Sequence, residues 1–326
     1  MEIAVLGGCG FIGARLVTQL LAAGHQVRIF DKVSSTAHPT LATLGDVRDR
    51  AALKEFMAHS DCVINLAAEH RDDVKPVSLY TDVNVRGAEN VVFAAEANGV
   101  EHILFLSTVA VYGLDQPLAS ESAAIRPFNH YGQSKAQAEA VYTKWASAKA
   151  TQRVLTVLRP CVVFGEGNRG NVFKLIEQIR RGRFLMVGDG NNHKSVAYVQ
   201  NLADFMCLQI HAPTAGIQVF NYADKPDLTT TELVQKIRAL LPDTVTRSFH
   251  VPYGLALAGG YAFDVLAWLS GRSLAISSAR VRKFCAETRV ATDALEQIGF
   301  QPKFTIEEGL LRMIADMATD ESPRQR

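Results

Sequence analysis

The opening of the chain constrains the fold more than any other feature. A short apolar run, Ile3–Leu6, leads directly into Gly7-Gly8-Cys9-Gly10-Phe11-Ile12-Gly13. A helical stripe of Leu16, Leu20 and Ala23 follows. Glycine lets a strand turn tightly into a helix and lets a ligand approach the backbone closely. The first turn of that helix offers unpaired N–H groups and the positive end of the helix dipole, which suit a pyrophosphate. The spacing is GxxGxxG rather than GxGxxG, but the physical requirement is the same, and the strand-turn-helix context makes the signal specific.

The same alternation continues. Val27–Phe30, Cys62–Leu66, Ile103–Ser107 and Val154–Leu158 read as strands, with helices predicted over 12–23, 50–58, 81–97 and 134–148. Gly24 and Asn98-Gly99 stop two of these helices. Continuous apolar strands alternating with helices predict an α/β fold: a Rossmann-type doubly wound parallel sheet, covered on both faces, with right-handed crossovers. After Gly165 the rhythm breaks at Gly165-Glu166-Gly167 and Gly188-Asp189-Gly190, and helices dominate from Thr230. We therefore expect a dinucleotide-binding domain over 1–166, with 196–222 returning to its sheet. A smaller, mostly helical substrate lobe is expected over 167–195 and 223–318. The polar tail 319–326 is expected to fray.

Bulk properties exclude several classes. A net charge of +1 with no long basic block gives no footprint for nucleic acid. Five cysteines, an odd number without a CxxC, argue against a disulfide framework or a metal site. The first residues read as a strand rather than a signal peptide, so a cytoplasmic location is expected. Residues 251–270 are nearly all apolar, with Asp264 the one charge. Their length approaches a membrane span, but Pro252, the glycines and Asp264 oppose one. A buried or lobe-capping helix is expected there, with peripheral membrane contact as the alternative.

Asp31 ends the second strand, 24 residues after Gly7. A carboxylate there accepts hydrogen bonds from ribose hydroxyls and repels a 2′-phosphate, which favours NAD over NADP. Asp46-Val47 falls where a loop could reach the adenine. Tyr131 and Lys135 are four residues apart and share one helix face. A tyrosine is a poor base at neutral pH. An ammonium at about 4 Å, with an effective dielectric of 20, would favour the phenolate by roughly 4 kcal/mol, or about three pH units. Thr108 ends the fourth strand, where doubly wound sheets place their sites. Its hydroxyl is suited to a hydrogen bond with the substrate oxygen whose proton Tyr131 exchanges.

Together these residues resemble the extended short-chain dehydrogenase/reductase superfamily, in its NAD-dependent nucleotide-sugar epimerase/dehydratase branch. The resemblance rests on Gly7 to Gly13, Asp31, Asp46-Val47, Asn65-Leu66-Ala67-Ala68, Asn84-Val85, Ser107 to Gly113, Tyr131 to Lys135 and Arg159-Pro160. It implies a catalytic trio of Thr108, Tyr131 and Lys135, with Lys135 also holding the nicotinamide ribose. It implies a cofactor site of Gly7, Gly10, Phe11, Ile12, Gly13, Asp31, Asp46, Val47, Leu66, Ala67, Ala68, Asn84, Ser107, Tyr131, Lys135 and Pro160. Asn84 would also buttress the active-site helix. Thr108, Tyr131, Asn171, Lys194 and Arg280 are the candidates for substrate contact, the last three for a nucleotide diphosphate. No acid follows Thr108, since Val109-Ala110 stand where sugar dehydratases usually carry Asp-Glu. The resemblance thus implies a UDP-hexose or N-acetylhexosamine 4-epimerase that passes through a 4-keto intermediate and serves polysaccharide biosynthesis. A 4-keto-sugar reductase and a 3β-hydroxysteroid dehydrogenase-like oxidoreductase are the alternatives. Family members often pair through the helices that flank the site, here 84–97 and 134–148, so a homodimer is expected.

Overall fold

The computed structural model describes every residue except 72–73, 115, 117, 212, 242–248, 271–276 and 321–326. The first half runs β1 (Glu2–Leu6), α1 (Phe11–Ala22), β2 (Gln26–Asp31), β3 (Ala42–Leu44), α2 (Arg50–Phe56) and β4 (Cys62–Asn65). It continues through α3 (Ser78–Tyr80), a π turn (Thr81–Arg86), α4 (Gly87–Asn98), β5 (His102–Leu106), a 3-10 turn (Val109–Tyr112), α5 (His130–Ser147) and β6 (Val154–Pro160). The second half runs β7 (Val162–Phe164), α6 (Asn171–Arg180), β8 (Leu185–Val187), β9 (His193–Tyr198), α7 (Val199–His211), β10 (Gly216–Tyr222) and β11 (Asp224–Thr229). It ends with α8 (Thr230–Leu240), β12 (Phe249–Val251), α9 (Tyr253–Ser270), α10 (Ser278–Cys285), α11 (Asp293–Gln297) and α12 (Ile306–Asp320).

The main sheet has seven parallel strands in the order β3-β2-β1-β4-β5-β6-β10. Its centre is apolar because both faces are covered: every residue of β4 and β5 is buried. On one face Leu16, Val17 and Leu20 of α1 pack with Leu202, Phe205 and Met206 of α7. On the other, Leu53, Val91, Ala138, Tyr142 and Trp145 join α2, α4 and α5 in a second core. Strand order reverses between β1 and β4, so a crevice opens beyond their carboxyl ends, where such sheets bind ligands.

The lobe has its own core, in which Ile176, Val234, Ile237, Leu310 and Met313 pack α6, α8 and α12 together. Two small sheets frame it, β11-β9-β7 and the β12-β8 pair. The expected return of 196–222 to the main sheet therefore divides. β10 pairs with β6 and α7 covers the sheet, but β9 pairs with β7 and β11 in the lobe. Asp224, at the start of β11, ties the two regions by accepting hydrogen bonds from Tyr198 N (2.5 Å) and Asn201 Nδ2 (3.0 Å).

Residues 251–270 correct a second expectation. Val251 ends β12 and Tyr253–Ser270 form the helix α9, of which Gly260 is the one buried residue. Trp268 is 81% exposed, and Leu255 and Leu269 are each 67% exposed. No helix among the described residues is long and apolar enough to cross a membrane.

Candidate active site

The glycine turn sits at the mouth of the crevice. Gly7 has φ +78°, and a Cβ there would lie 2.7 Å from Ala67 N, so only glycine lets the turn close onto the β4 loop. Leu66, Ala67 and Ala68 follow β4 directly, and the Leu66–Ala67 backbone packs against this turn. Gly10 caps α1 and Phe11 begins it, which places that helix's unpaired N–H groups at the turn. Asp31 stands beside it, its carboxylate accepting from Cys9 N at 3.0 Å. The turn, the helix end and the carboxylate have the chemistry a dinucleotide needs. Asp46 pairs with Arg48, whose hydrogen bond holds its carboxyl below the usual range. Val47 is buried, and its carbonyl accepts from Asn90.

The start of α5 is pressed against the turn that follows β5. A Cβ on Gly132 would lie 2.5 Å from the Ala110 carbonyl. That close approach brings Tyr131 to the Thr108 hydroxyl. Thr108 also caps the 3-10 turn, accepting from Ala110 N at 3.2 Å. Asn129 caps α5 through Gly132 N at 2.8 Å. Asn84, in the π turn, donates to Ser134 Oγ at 2.8 Å, and Ser134 donates to the Tyr131 carbonyl at 2.8 Å. Asn84 thus ties the π turn to the first turn of α5 through Ser134.

The electrostatics differ from the simple pairing read off the spacing. Burial pushes Tyr131 up to about 12, and Thr108 is the group that opposes the rise. Burial pulls Lys135 down to about 7, opposed by the field of Glu139 one helical turn further on. The Lys135 ammonium lies 4.0 Å from the centroid of the Phe105 ring. In this arrangement the ammonium lies over the Phe105 ring, and desolvation outweighs the attraction of the nearby carboxylate.

Glu139 is a residue that sequence reasoning missed. Its carboxylate accepts from Ser107 Oγ and from Arg159 Nε (3.0 Å) and Nη2 (2.6 Å), all out of water. Arg159 also donates to Tyr112 Oη at 2.7 Å, and Tyr112 donates to Asn221 Oδ1 at 2.7 Å. The network stitches β5, α5, β6 and β10 together beneath the trio. Ser107 is committed to it, and Pro160 ends the strand that carries Arg159. The available signal was position: Glu139 follows Lys135 at the same four-residue spacing that marks Tyr131 and Lys135.

A cleft of about 900 Å³ opens between the lobe and the segment leading into α5. Leu114 and Phe128 line one side, and His250, Pro252, Tyr253 and Arg282 line the lobe side. The trio is not part of this lining. Of the three expected diphosphate contacts, Asn171 is the exposed first residue of α6. The Lys194 ammonium donates to the carbonyls of Lys283 (3.1 Å) and Ala286 (2.7 Å), tying down the end of α10. Arg280 is exposed on α10 and is not among the lining residues, whereas Arg282, two positions on, is. Among the described residues no cluster of His, Cys, Asp and Glu could hold a metal ion.

Comparisons with known proteins agree with this geometry. Residues 3–223 match the family described as NAD dependent epimerase/dehydratase. The chain is 46% identical over 313 residues to the N-acetyl-alpha-D-glucosaminyl-diphospho-ditrans,octacis-undecaprenol 4-epimerase of Escherichia coli O157:H7, covering 96% of this chain and 94% of that one. It is 27% identical to a UDP-glucose 4-epimerase of Vibrio cholerae, over 94% of this chain and 93% of the relative. Among solved structures, a UDP-glucose 4-epimerase of Thermotoga maritima superposes with a TM-score of 0.79 at 20% identity, over 98% and 99% of the two chains. With the glycine turn, Asp31 and the Thr108–Tyr131–Lys135 trio in the family's order, the chain belongs to the NAD-dependent epimerase/dehydratase family.

Proposed function

We propose that the chain is an NAD-dependent 4-epimerase of a diphosphate-linked hexose, and that its substrate is an N-acetylhexosamine carried on a polyprenyl diphosphate. The observation that carries this reading is the 46% identity, along nearly the whole chain, to an enzyme whose name states that reaction and that carrier. The expected 4-keto chemistry is unchanged by the carrier. Tyr131, as its phenolate, would take the proton of the sugar 4-hydroxyl while C4 gives up its hydride, leaving a ketone. The ketone then presents its other face, and Tyr131 returns the proton as the hydride comes back. No net oxidation results. When bound, NAD supplies the hydride acceptor and carries a positive charge in its oxidised form.

Thr108 would hold the 4-oxygen, and Lys135 would hold the nicotinamide ribose. Gly7, Gly10, Phe11, Ile12 and Gly13 would receive the pyrophosphate, with Asp31 on the adenosine ribose and Asp46-Val47 near the adenine. Leu66, Ala67 and Ala68 would border the cofactor, with Ser107 and Pro160 beneath it. Asn84 would act through α5 rather than by contact. Arg282 is better placed than Arg280 for the diphosphate because it lines the cleft, with Asn171 and Lys194 as further contacts. No carboxylate follows Thr108 to drive elimination of water. A homodimer through the outer faces of α4 and α5, and a peripheral station at a membrane, complete the reading.

A nucleotide-linked hexose is the second reading, favoured by the relative from Vibrio cholerae. One assay separates the two. Purified enzyme, without added NAD or NADH, is offered N-acetylglucosaminyl-diphospho-undecaprenol in detergent, UDP-N-acetylglucosamine or UDP-glucose. Sugars are released by mild acid and the 4-epimer is quantified. Turnover of the lipid-linked sugar, abolished at least 10²-fold by Tyr131→Phe, is expected. Turnover of the UDP-sugars alone moves the function to the second reading. Stoichiometric NADH consumption on a 4-keto sugar makes the enzyme a reductase, and full activity of Tyr131→Phe refutes the mechanism.

A further inference from the structure

A surface helix ordinarily turns its apolar stripe inward and its charges outward. α9 does the reverse. Gly260 is its buried residue, and Asp264, its one charge, faces α10, accepting from Ser278 N at 3.2 Å. Leu255, Val265, Leu266, Trp268 and Leu269 are each more than half exposed. A contiguous apolar face of this kind marks an interaction surface.

The neighbouring helix indicates what covers it. α10 exposes Arg280, Arg282 and Lys283 beside α9, and Arg282 stacks on Tyr261 with its guanidinium 5.7 Å from the ring centroid. An apolar helix with a basic flank suits the boundary of an anionic bilayer, where the apolar face enters the acyl region and the cations meet phosphates. The surface also begins at the cleft, since Pro252 and Tyr253 at the start of α9 and Arg282 of α10 line it. We propose that α9 and α10 dock the enzyme on the surface of an anionic phospholipid bilayer, with α9 lying in the interface and the cleft opening at headgroup level. This rests on the lipid-linked reading: the polyprenyl chain would stay in the bilayer while its sugar diphosphate enters the cleft past Arg282.

Flotation of the full chain with phosphatidylcholine vesicles, plain or containing phosphatidylglycerol, tests this. The wild type should co-float, and more so with the anionic lipid. Leu266→Glu, Trp268→Glu and Leu269→Glu combined should lower the bound fraction at least tenfold, while turnover of a water-soluble farnesyl-diphosphate-linked N-acetylglucosamine persists. A second measurement needs no variant. Trp268 and Trp145 are the two tryptophans, and Trp145 is buried in the sheet core. Brominated lipids should therefore quench Trp268 emission alone. Absence of flotation and quenching overturns the proposal, as does a triple variant that floats like the wild type. A dimer that the triple variant converts to monomer, without vesicle binding, assigns α9 to a second copy and also overturns it. Vesicle binding by an enzyme that turns over only UDP-sugars keeps the docking surface and refutes the lipid-linked substrate.

Discussion

Replacing Glu139 by glutamine probes the network beneath the trio. Glutamine keeps the shape of the side chain but presents an amide donor to the Arg159 guanidinium, which is itself a donor. Arg159 loses its anion, yet it keeps Tyr112 Oη at 2.7 Å and the Glu121 carbonyl at 3.1 Å, so the fold should survive. Breaking a buried ion pair from one side costs about 3–5 kcal/mol. Unfolding entropy of about 2.1 cal/mol/K per residue gives roughly 0.7 kcal/mol/K for this chain. The melting temperature should therefore fall by about 4–7 °C, measured by calorimetry. A second effect reaches the chemistry. Residues four apart on a helix lie about 6 Å apart, so a full charge on Glu139 would favour the Lys135 ammonium by roughly 2.8 kcal/mol at a dielectric of 20. Arg159 cancels about half of that, leaving about one pH unit. Lys135 already sits near 7. The alkaline limb of the kcat profile should thus move down by about one pH unit in E139Q. A lower melting temperature with an unmoved profile would reduce Glu139 to a purely structural role. An unchanged melting temperature would refute the energetic argument itself.

The remaining predictions address other contacts. Gly132→Ala should drive a Cβ into the Ala110 carbonyl and move Tyr131 from Thr108. A fall in kcat of about 10² is expected while the NAD content, read by absorbance after denaturation, is kept. Asp31→Asn keeps the acceptor for Cys9 N but loses the charge that repels a 2′-phosphate. NAD affinity of the stripped enzyme should fall about tenfold and NADP affinity should rise, as titration calorimetry would show. Burial raises Asp224 to about 6, above its unfolded value near 3.9, so the folded state holds a proton that the unfolded chain releases between those values. Its contribution is therefore present below about pH 4 and is lost as pH rises through 6, a loss on the order of 3 kcal/mol. Asp224→Asn should flatten that part of the stability curve in urea titrations at pH 4.5 and pH 7.

Local physics decided which features the sequence disclosed. The Gly7 turn was legible because a positive φ and a 2.7 Å approach admit little besides glycine. The parallel sheet was legible because β4 and β5 are buried at every position and apolar at all but Asn65 and His102 at their ends, as strands covered on both faces tend to be. β9 was misplaced for the complementary reason. Ser195-Val196-Ala197-Tyr198 is a buried strand in either sheet, and only its partners β7 and β11, one on each side, assign it to the lobe. Hydropathy also misled over α9, because an apolar composition reports a demand for burial without saying what provides it. Arg280 was a candidate on charge and position alone, because a sequence shows charge without direction. Two residues apart on a helix, the two side chains leave opposite faces, and only one reaches the cleft.

The Tyr131–Lys135 spacing gives an incomplete account of the pair's electrostatics. Sequence spacing supplies a distance along a helix but not the solvent around it. Here solvent exclusion dominates: the phenol resists ionisation and the amine resists protonation, with values near 12 and 7. Two neighbours work against burial, Thr108 on the phenol and Glu139 on the amine. Each acts on a different member of the pair and from a different element, Thr108 from the end of β5 and Glu139 from the next turn of α5. The protonation of the site is therefore set by four residues rather than two. Asn84 and Gly132 matter to it at one remove, because they seat α5 where Thr108 meets the phenol. The chemistry expected of the pair belongs to this seated arrangement: without Thr108 burial would raise the phenol further, and without Glu139 it would lower the amine further.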